Sequence, residues 1–230
     1  MIKMLEDIDA VLFDMDGTLV DSMWVWVAVD EEYLERYNLT EPATFHEDME
    51  GMSYREVAEY YHRVFPTLPM TVDEIMDEWH EMAYEKYMHE VPLKKGVKEF
   101  IEMVRKEGVK TGIATSNSRK LAIETLEALG ISHLFDAVKT SEEAGAGKPA
   151  PDVYLLAAEK LKAEPSRCLV FEDVPAGIMA GKNAGMKVCA VKDDFSEPMA
   201  EKKRALADYY IEDYDDIKNG TYEVTLQEDA

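Results

Sequence analysis

The 230-residue chain is 47% hydrophobic and 32% charged, enough apolar material for a core with room for a smaller second unit. Its 48 Asp and Glu against 25 Lys and Arg leave a formal net charge of −23, which repels nucleic acid and anionic membrane surfaces and argues against both as partners. An anionic substrate would meet the same long-range repulsion, so local cations or a metal ion must supply the attraction. The stretch Met1-Ile2-Lys3-Met4-Leu5-Glu6-Asp7 carries acids early and lacks a long apolar core, so it is not expected to be a signal peptide, and no apolar run elsewhere is long enough to span a bilayer. The expected location is the cytoplasm. Cys168 and Cys189 lie in apolar strand-like runs without CxxC spacing or an adjacent histidine, and read as buried reduced thiols.

The first predicted element is the apolar, partly β-branched run from Ile8 to Phe13, which has the texture of a buried parallel strand and breaks at Asp16-Gly17 into a turn. Two carboxylates, Asp14 and Asp16, stand where that strand should end. If the extended geometry persists they face one side, with Met15 turned to the other, and Gly17 lets the backbone turn tightly beside them. Two carboxylates so close repel unless a cation sits between them or one holds a proton.

Helical character follows over Met23 to Asn38, with Ser22 as N-cap and Asn38 as stop. Capping boxes at Ser53 with Glu56 and at Thr71 with Glu74 announce two further helices, each with one apolar stripe. Beyond Val91-Pro92 helices and short apolar strands alternate. The helices are predicted at Gly96–Glu107, Arg119–Leu129, Asp152–Leu161, Ala176–Ala184 and Glu197–Leu206, and the strands at Lys110–Thr115, Ala137–Thr140, Cys168–Phe171, Lys187–Val191 and Asp208–Ile211. Such alternation implies an α/β fold, a doubly wound parallel sheet with helices on both faces. The gap between the first strand and the next is far longer than one crossover helix needs, so the helical bundle is an insertion. The expected division is an α/β core of residues 1–20 plus 91–230 and a helical cap of residues 21–90. The cap is expected to open and close on hinges near Leu19–Asp21 and Val91–Lys95. The acidic tail, Gln227-Glu228-Asp229-Ala230, is expected to fray.

Open α/β sheets bind ligands at the C-terminal ends of their strands. Thr115-Ser116-Asn117-Ser118 ends one strand and leads straight into a helix, so hydroxyls and free N–H groups converge where a phosphate could bind; taken alone, the run reads first as an ordinary N-cap. Lys148 sits between the glycines Gly145 and Gly147 and the prolines Pro149 and Pro151, a bracketing that suits a positioned cation. Glu172-Asp173 ends the wholly apolar Cys168–Phe171, and with Asp14 and Asp16 would make an oxygen-rich cluster suited to Mg²⁺. Glu212-Asp213-Tyr214-Asp215-Asp216 has no such apolar lead-in and reads as solvated surface.

The ordered set Asp14-Met15-Asp16-Gly17-Thr18, Thr115, Lys148-Pro149 and Glu172-Asp173 resembles the haloacid dehalogenase-like hydrolase superfamily, in the branch with a helical cap after the first motif. Within it the chain looks most like the β-phosphoglucomutase-like and sugar-phosphatase group, and the resemblance covers nearly the whole chain. The resemblance implies a Rossmann-like core with strand order 5-4-1-2-3. It implies Asp14 as the nucleophile of an aspartyl-phosphate and Asp16 as acid and then base. Thr115 and Ser116, with Lys148, would hold the phosphoryl group. Mg²⁺ would be bound by the Asp14 carboxylate, the Asp16 carbonyl and Asp173, with Glu172 ligating directly or through water. An Asp of ordinary pKa, about 3.9, is a poor acid at neutral pH, so Asp16 must gain its proton within the loaded site.

The stretch Gly51-Met52-Ser53-Tyr54-Arg55 falls where related proteins contact the leaving group, and Trp26 aligns loosely with an aromatic of sugar phosphatases, which makes Trp26, Gly51, Ser53 and Arg55 specificity candidates; a plain helix start with a solvated arginine fits the stretch as well. In the mutase a cap histidine follows the first motif, whereas here the stretch reads Met23-Trp24-Val25-Trp26. That departure favours hydrolysis over mutation. The five histidines, His46, His62, His80, His89 and His133, are expected at the surface. The expected activity is a Mg²⁺-dependent phosphatase of a small phosphomonoester, such as a sugar phosphate, in a monomer or weak homo-oligomer. A phosphomutase is the second reading, a non-catalytic sensor of a phosphorylated metabolite the third, and dehalogenation the weakest.

Overall fold

Strand β1, Ala10–Phe13, is buried along its whole length, the behaviour of a central parallel strand covered on both faces. The computed structural model describes residues 2–225, so the tail expected to fray lies outside them. The other strands are β2 (Lys110–Thr115), β3 (Ala137–Thr140), β4 (Cys168–Glu172), β5 (Lys187–Val191), β6 (Tyr209–Ile211) and β7 (Glu223–Val224). They form one sheet of order β3-β2-β1-β4-β5-β6-β7, which contains the implied 5-4-1-2-3 arrangement. β1 pairs in parallel with β2 and with β4. The last strand departs from the parallel expectation: β7 runs antiparallel to β6, and at two residues it is too short to show any periodicity.

Alternation along β1 divides the core. Val11 and Phe13 face the side covered by α5 (Val97–Lys106), α6 (Arg119–Ala128) and α11 (Asp215–Asn219). Ala10 and Leu12 face α8 (Asp152–Leu161), α9 (Pro175–Asn183) and the end of α10 (Ala200–Leu206). The helix predicted over Glu197–Leu206 is divided into a 3₁₀ turn, Glu197–Met199, and α10, at Met199, whose φ of −100° and ψ of 10° depart from helical geometry. The run Glu212–Asp216 is not simply solvated surface. Tyr214 is buried against Phe13, Phe100 and Phe171 at 6.3, 5.4 and 5.3 Å between ring centroids, and only the flanking acids reach solvent. Cys168 and Cys189 are buried free thiols as expected. No described helix is long and apolar enough to cross a membrane.

Between β1 and α5 stand four helices, α1 (Met23–Arg36), α2 (Phe45–Met49), α3 (Tyr54–Val64) and α4 (Val72–His89). Both predicted capping boxes form, at Ser53/Glu56 and Thr71/Glu74. Asn38 takes the left-handed conformation just past α1 and stops it. Ser22, expected to cap α1, makes no capping bond; its hydroxyl donates instead to Asp16 Oδ1 at 2.6 Å. The helices share a buried aromatic cluster of Tyr33, Tyr61 and Trp79. The two linkers to the core lie side by side: Asp21 N donates to Pro92 O at 3.0 Å and Lys94 N to Leu19 O at 2.9 Å. α4 also reaches α6 of the core. There His80 departs from the surface expectation, half-buried with Nε2 3.5 Å from Glu124 Oε2.

Candidate active site

The site lies at the C-terminal ends of β1, β2 and β4, three adjacent interior strands of the sheet. β1 stops at Phe13, and Asp14 N still donates to Phe171 O at 3.0 Å. The chain then turns through Gly17, at φ +74°, where an added Cβ would stand 2.2 Å from Asp173 Oδ2. Glycine is therefore required twice, for its conformation and for the close approach. Because the strand has ended, its alternation no longer governs Asp14 and Asp16, and the two carboxylates reach different partners. Asp14 turns inward and Asp16 turns toward the inserted helices.

Lys148 sits against Asp14. Its ammonium donates to Asp14 Oδ1 and to Glu172 Oε1, each at 2.5 Å, and lies 5.3 Å from the centre of the Tyr154 ring. Lys148, Glu172 and Asp173 are all buried. Glu172 uses both oxygens: Oε1 also accepts from the Tyr154 hydroxyl at 2.7 Å, and Oε2 accepts from the Asp173 and Val174 amides at 3.1 and 3.5 Å. Asp173 Oδ1 accepts from Thr18 Oγ1 at 2.9 Å, while Asp173 Oδ2 is buried without a hydrogen-bond partner.

One carboxylate oxygen from each of Asp14, Glu172 and Asp173 lies within 4.8 Å of the others. Burial pushes the Asp14 carboxyl up to about 8; Glu172 and Asp16 add to the shift, and Lys148 opposes it. Asp173 is held well above its ordinary range by burial and then by Glu172 and Asp14. Burial works against the charge on Lys148, but Asp14 and Glu172 outweigh it and hold the ammonium above its usual value. Three buried carboxylates thus face one ammonium. The charge balance, together with the orphan oxygen of Asp173, fits a hard divalent cation such as Mg²⁺.

Thr115 ends β2, buried, with Oγ1 accepting from Asn117 N at 3.0 Å. Ser116 Oγ lies 3.4 Å from Ser141 Oγ, and its carbonyl accepts from Tyr54 N of the inserted helices at 2.9 Å. The role of N-cap to α6 falls to Ser118, so the hydroxyl of Thr115 is not used in capping that helix. Asp16 Oδ2 accepts from Asn117 Nδ2 at 2.9 Å, and Asp16 Oδ1 accepts from the hydroxyl of Tyr87 as well as from Ser22.

The specificity candidates are placed unequally. Trp26 packs on Tyr54 and Tyr87, at 5.8 and 6.0 Å between ring centroids, beside Asp16's partners. Gly51 lies against the Lys148 carbonyl, where a Cβ would stand 2.2 Å from the oxygen. Ser53 serves its capping box. Arg55 lies at the outer rim, donating to Glu142 Oε1 and to Asp73 Oδ1, both at 2.8 Å. Sequence reasoning missed Thr18, Ser22, Tyr87, Asn117 and Tyr154 as parts of the site. Thr18 and Asn117 stood inside quoted motifs, whereas Tyr87 and Tyr154 carry only the signature of core aromatics.

The description "haloacid dehalogenase-like hydrolase" fits residues 11–191 as a family model, a span that holds every strand end named above. The chain belongs to the haloacid dehalogenase-like hydrolase family. Among relatives, a phosphorylated carbohydrates phosphatase of Thermotoga maritima is 28% identical over 78% of this chain and 82% of its own length. A putative pyrophosphatase of Caldanaerobacter subterraneus subsp. tengcongensis is 30% identical over 90% of this chain and 91% of its own. Among solved structures, a β-phosphoglucomutase of Clostridium difficile superposes with TM-score 0.73 at 22% identity, over 90% of this chain and 92% of that one. It shows that this haloacid dehalogenase-like protein shares the fold of the mutase.

Proposed function

We propose that the protein is a Mg²⁺-dependent phosphatase of a small phosphomonoester, a sugar phosphate first among them, working through an aspartyl-phosphate on Asp14. The observation that carries the reading is Asp14 itself, a buried carboxylate at the end of the central strand, held by Lys148 and grouped with Asp173, whose Oδ2 has no partner. The Asp14 oxygen attacks phosphorus as the bond to the leaving oxygen breaks, and Asp16 gives that oxygen its proton. Asp16 then takes a proton from water, which attacks phosphorus and frees Asp14. Lys148 neutralises a phosphoryl oxygen, and Thr115 with Ser116 offers hydroxyl and amide donors at the end of β2. Mg²⁺ would be held by the Asp14 and Asp173 carboxylates and the Asp16 carbonyl, and supplies charge neutralisation for the phosphoryl oxygens. Glu172 stands in the same acidic group, but both of its oxygens are engaged. Its role is to hold Lys148.

The functional division follows the insertion: residues 1–20 and 91–230 carry the chemistry and residues 21–90 cover it. The paired linkers support hinges at Leu19–Asp21 and Val91–Lys95. Trp26, half-buried and packed on Tyr54 and Tyr87 beside Asp16, suits a neutral leaving group, to which its ring offers contact. Phosphate release from a panel of sugar and polyol monophosphates, with Mg²⁺ or with EDTA, tests the reading. Release is expected with metal only and should vanish in Asp14→Asn. Full release by that variant would overturn it, and faster isomerisation of a hexose 1-phosphate than its hydrolysis would install the mutase instead.

A further inference from the structure

We propose that Tyr87, on the last of the inserted helices, is a positioning residue that sets the Asp16 carboxyl for proton delivery to the departing oxygen. The inference rests on the phosphatase reading and adds a residue to it. Tyr87 is 1% exposed and closes the buried stripe of α4 after Ile75, Trp79 and Ala83. A phenylalanine would complete that stripe equally well. The hydroxyl is the extra group, and it is spent on Asp16 Oδ1.

Asp16 is held from three separate elements. Ser22, at the start of α1, donates to Oδ1 at 2.6 Å; Asn117, in the loop after β2, donates to Oδ2 at 2.9 Å; Tyr87 donates to Oδ1 from α4. Asn117 Nδ2 also lies 3.4 Å from the Tyr87 hydroxyl, so the donors form one network. Ser22 is separated from Asp16 by only six positions, whereas Tyr87 is separated by 71. The tyrosine bond therefore exists only while α4 is seated on the core. The ring itself is held by Trp26, which leans in turn on Tyr54. A carboxyl bonded on both oxygens cannot turn about its χ2, and proton transfer needs it at a fixed angle to the leaving oxygen. Seating α4 and aiming the acid become one event.

The leaving group provides the test. In the first step the Asp14 oxygen–phosphorus bond forms, the phosphorus–leaving oxygen bond breaks, and the electron pair on that oxygen collects the proton of Asp16. An alkoxide needs that proton to depart, and 4-nitrophenolate does not. Steady-state kcat/KM, which reports only this first step, is to be measured for a sugar monophosphate and for 4-nitrophenyl phosphate with wild type, Tyr87→Phe, Asp16→Asn and the double variant. Tyr87→Phe is expected to lower kcat/KM about tenfold or more on the sugar phosphate and less than about twofold on 4-nitrophenyl phosphate. In the Asp16→Asn background it should add nothing on either substrate, since its partner's function is gone. Equal losses on both substrates, which a packing role or a poorly folded variant would give, overturn the proposal. So do additive losses in the double variant. Failure of the underlying reading shows elsewhere, as phosphate release that survives Asp14→Asn, and it takes the role of Tyr87 with it.

Discussion

Lys148 shows what a single side chain does in this site. It is the one ammonium among the described residues bonded to the buried group of Asp14, Glu172 and Asp173. Removing one partner of a buried ion pair costs about 3–5 kcal/mol, because the remaining charge has no compensation. Lys148→Met is therefore expected to lose stability in urea unfolding, by up to about that much at pH 9.5, above the Asp14 value of about 8. The loss should shrink toward pH 6, where Asp14 takes up a proton instead of needing the ammonium. An unchanged unfolding midpoint at pH 9.5 would contradict the account. Asp30 gives a second test away from the chemistry. Burial raises its pKa to about 6 from an ordinary value of 3.8, against the opposing hydrogen bond from the Tyr61 hydroxyl. A raised carboxyl pKa means that the folded state holds the proton more tightly. Its contribution is most favourable below pH 4 and is lost as pH rises from about 4 through about 6. At about 1.4 kcal/mol per pKa unit, Asp30→Asn should gain on the order of 2 kcal/mol relative to wild type between pH 4 and pH 7. A difference that stays flat over that window would show that Asp30 titrates normally.

At the scale of elements, legibility followed length and regularity. β2, β3, α8 and β5 fall on the residues predicted for them, because each is a continuous apolar or amphipathic run bounded by turn residues or charges. α2, α7 (Ser141–Ala144), α11 and β7 are each two to five residues long, too brief to carry a period, and none is predicted from the sequence. The site divided in the same way. Asp14, Thr115, Lys148 and Asp173 each follow an apolar run or a glycine–proline frame and stand out as polar groups at strand ends. The hydroxyls of Tyr87 and Tyr154 do not, because periodicity registers a ring in a stripe and says nothing of where its oxygen points. Arg55 is an intermediate case: it was legible as a charge near the site, yet it ties the start of α3 to Asp73 and to Glu142 of the core. An exposed pair of this kind is worth at most about 1 kcal/mol. Arg55→Ala should accordingly leave stability within about 1 kcal/mol of wild type and raise KM by up to about fivefold, as the seated arrangement loses one tie. An unchanged KM would mean that the rim contact does not bias seating.

Taken as a whole, the molecule concentrates opposing charges where chemistry can use them. Its net charge of −23 is spread over a surface that repels anions, while an ammonium, the hydroxyls and amides after β2 and a group of acids suited to a divalent cation meet at the centre of the sheet. The inserted helices cover that point and place Trp26 and Tyr87 beside Asp16. The proposed division of labour is between a strand end that takes the phosphoryl group and an insertion that governs the leaving group. The central claim is that the phosphoryl group passes through Asp14. It is tested most directly in Asp16→Asn with 4-nitrophenyl phosphate and Mg²⁺, where the first step needs no acid and the second has lost its base. After acid quench and peptide mass spectrometry, the account predicts one phosphoryl group per chain on the peptide containing Asp14, formed with a matching burst of nitrophenol. A stoichiometric burst with the phosphoryl group on another residue, or on none, would contradict it.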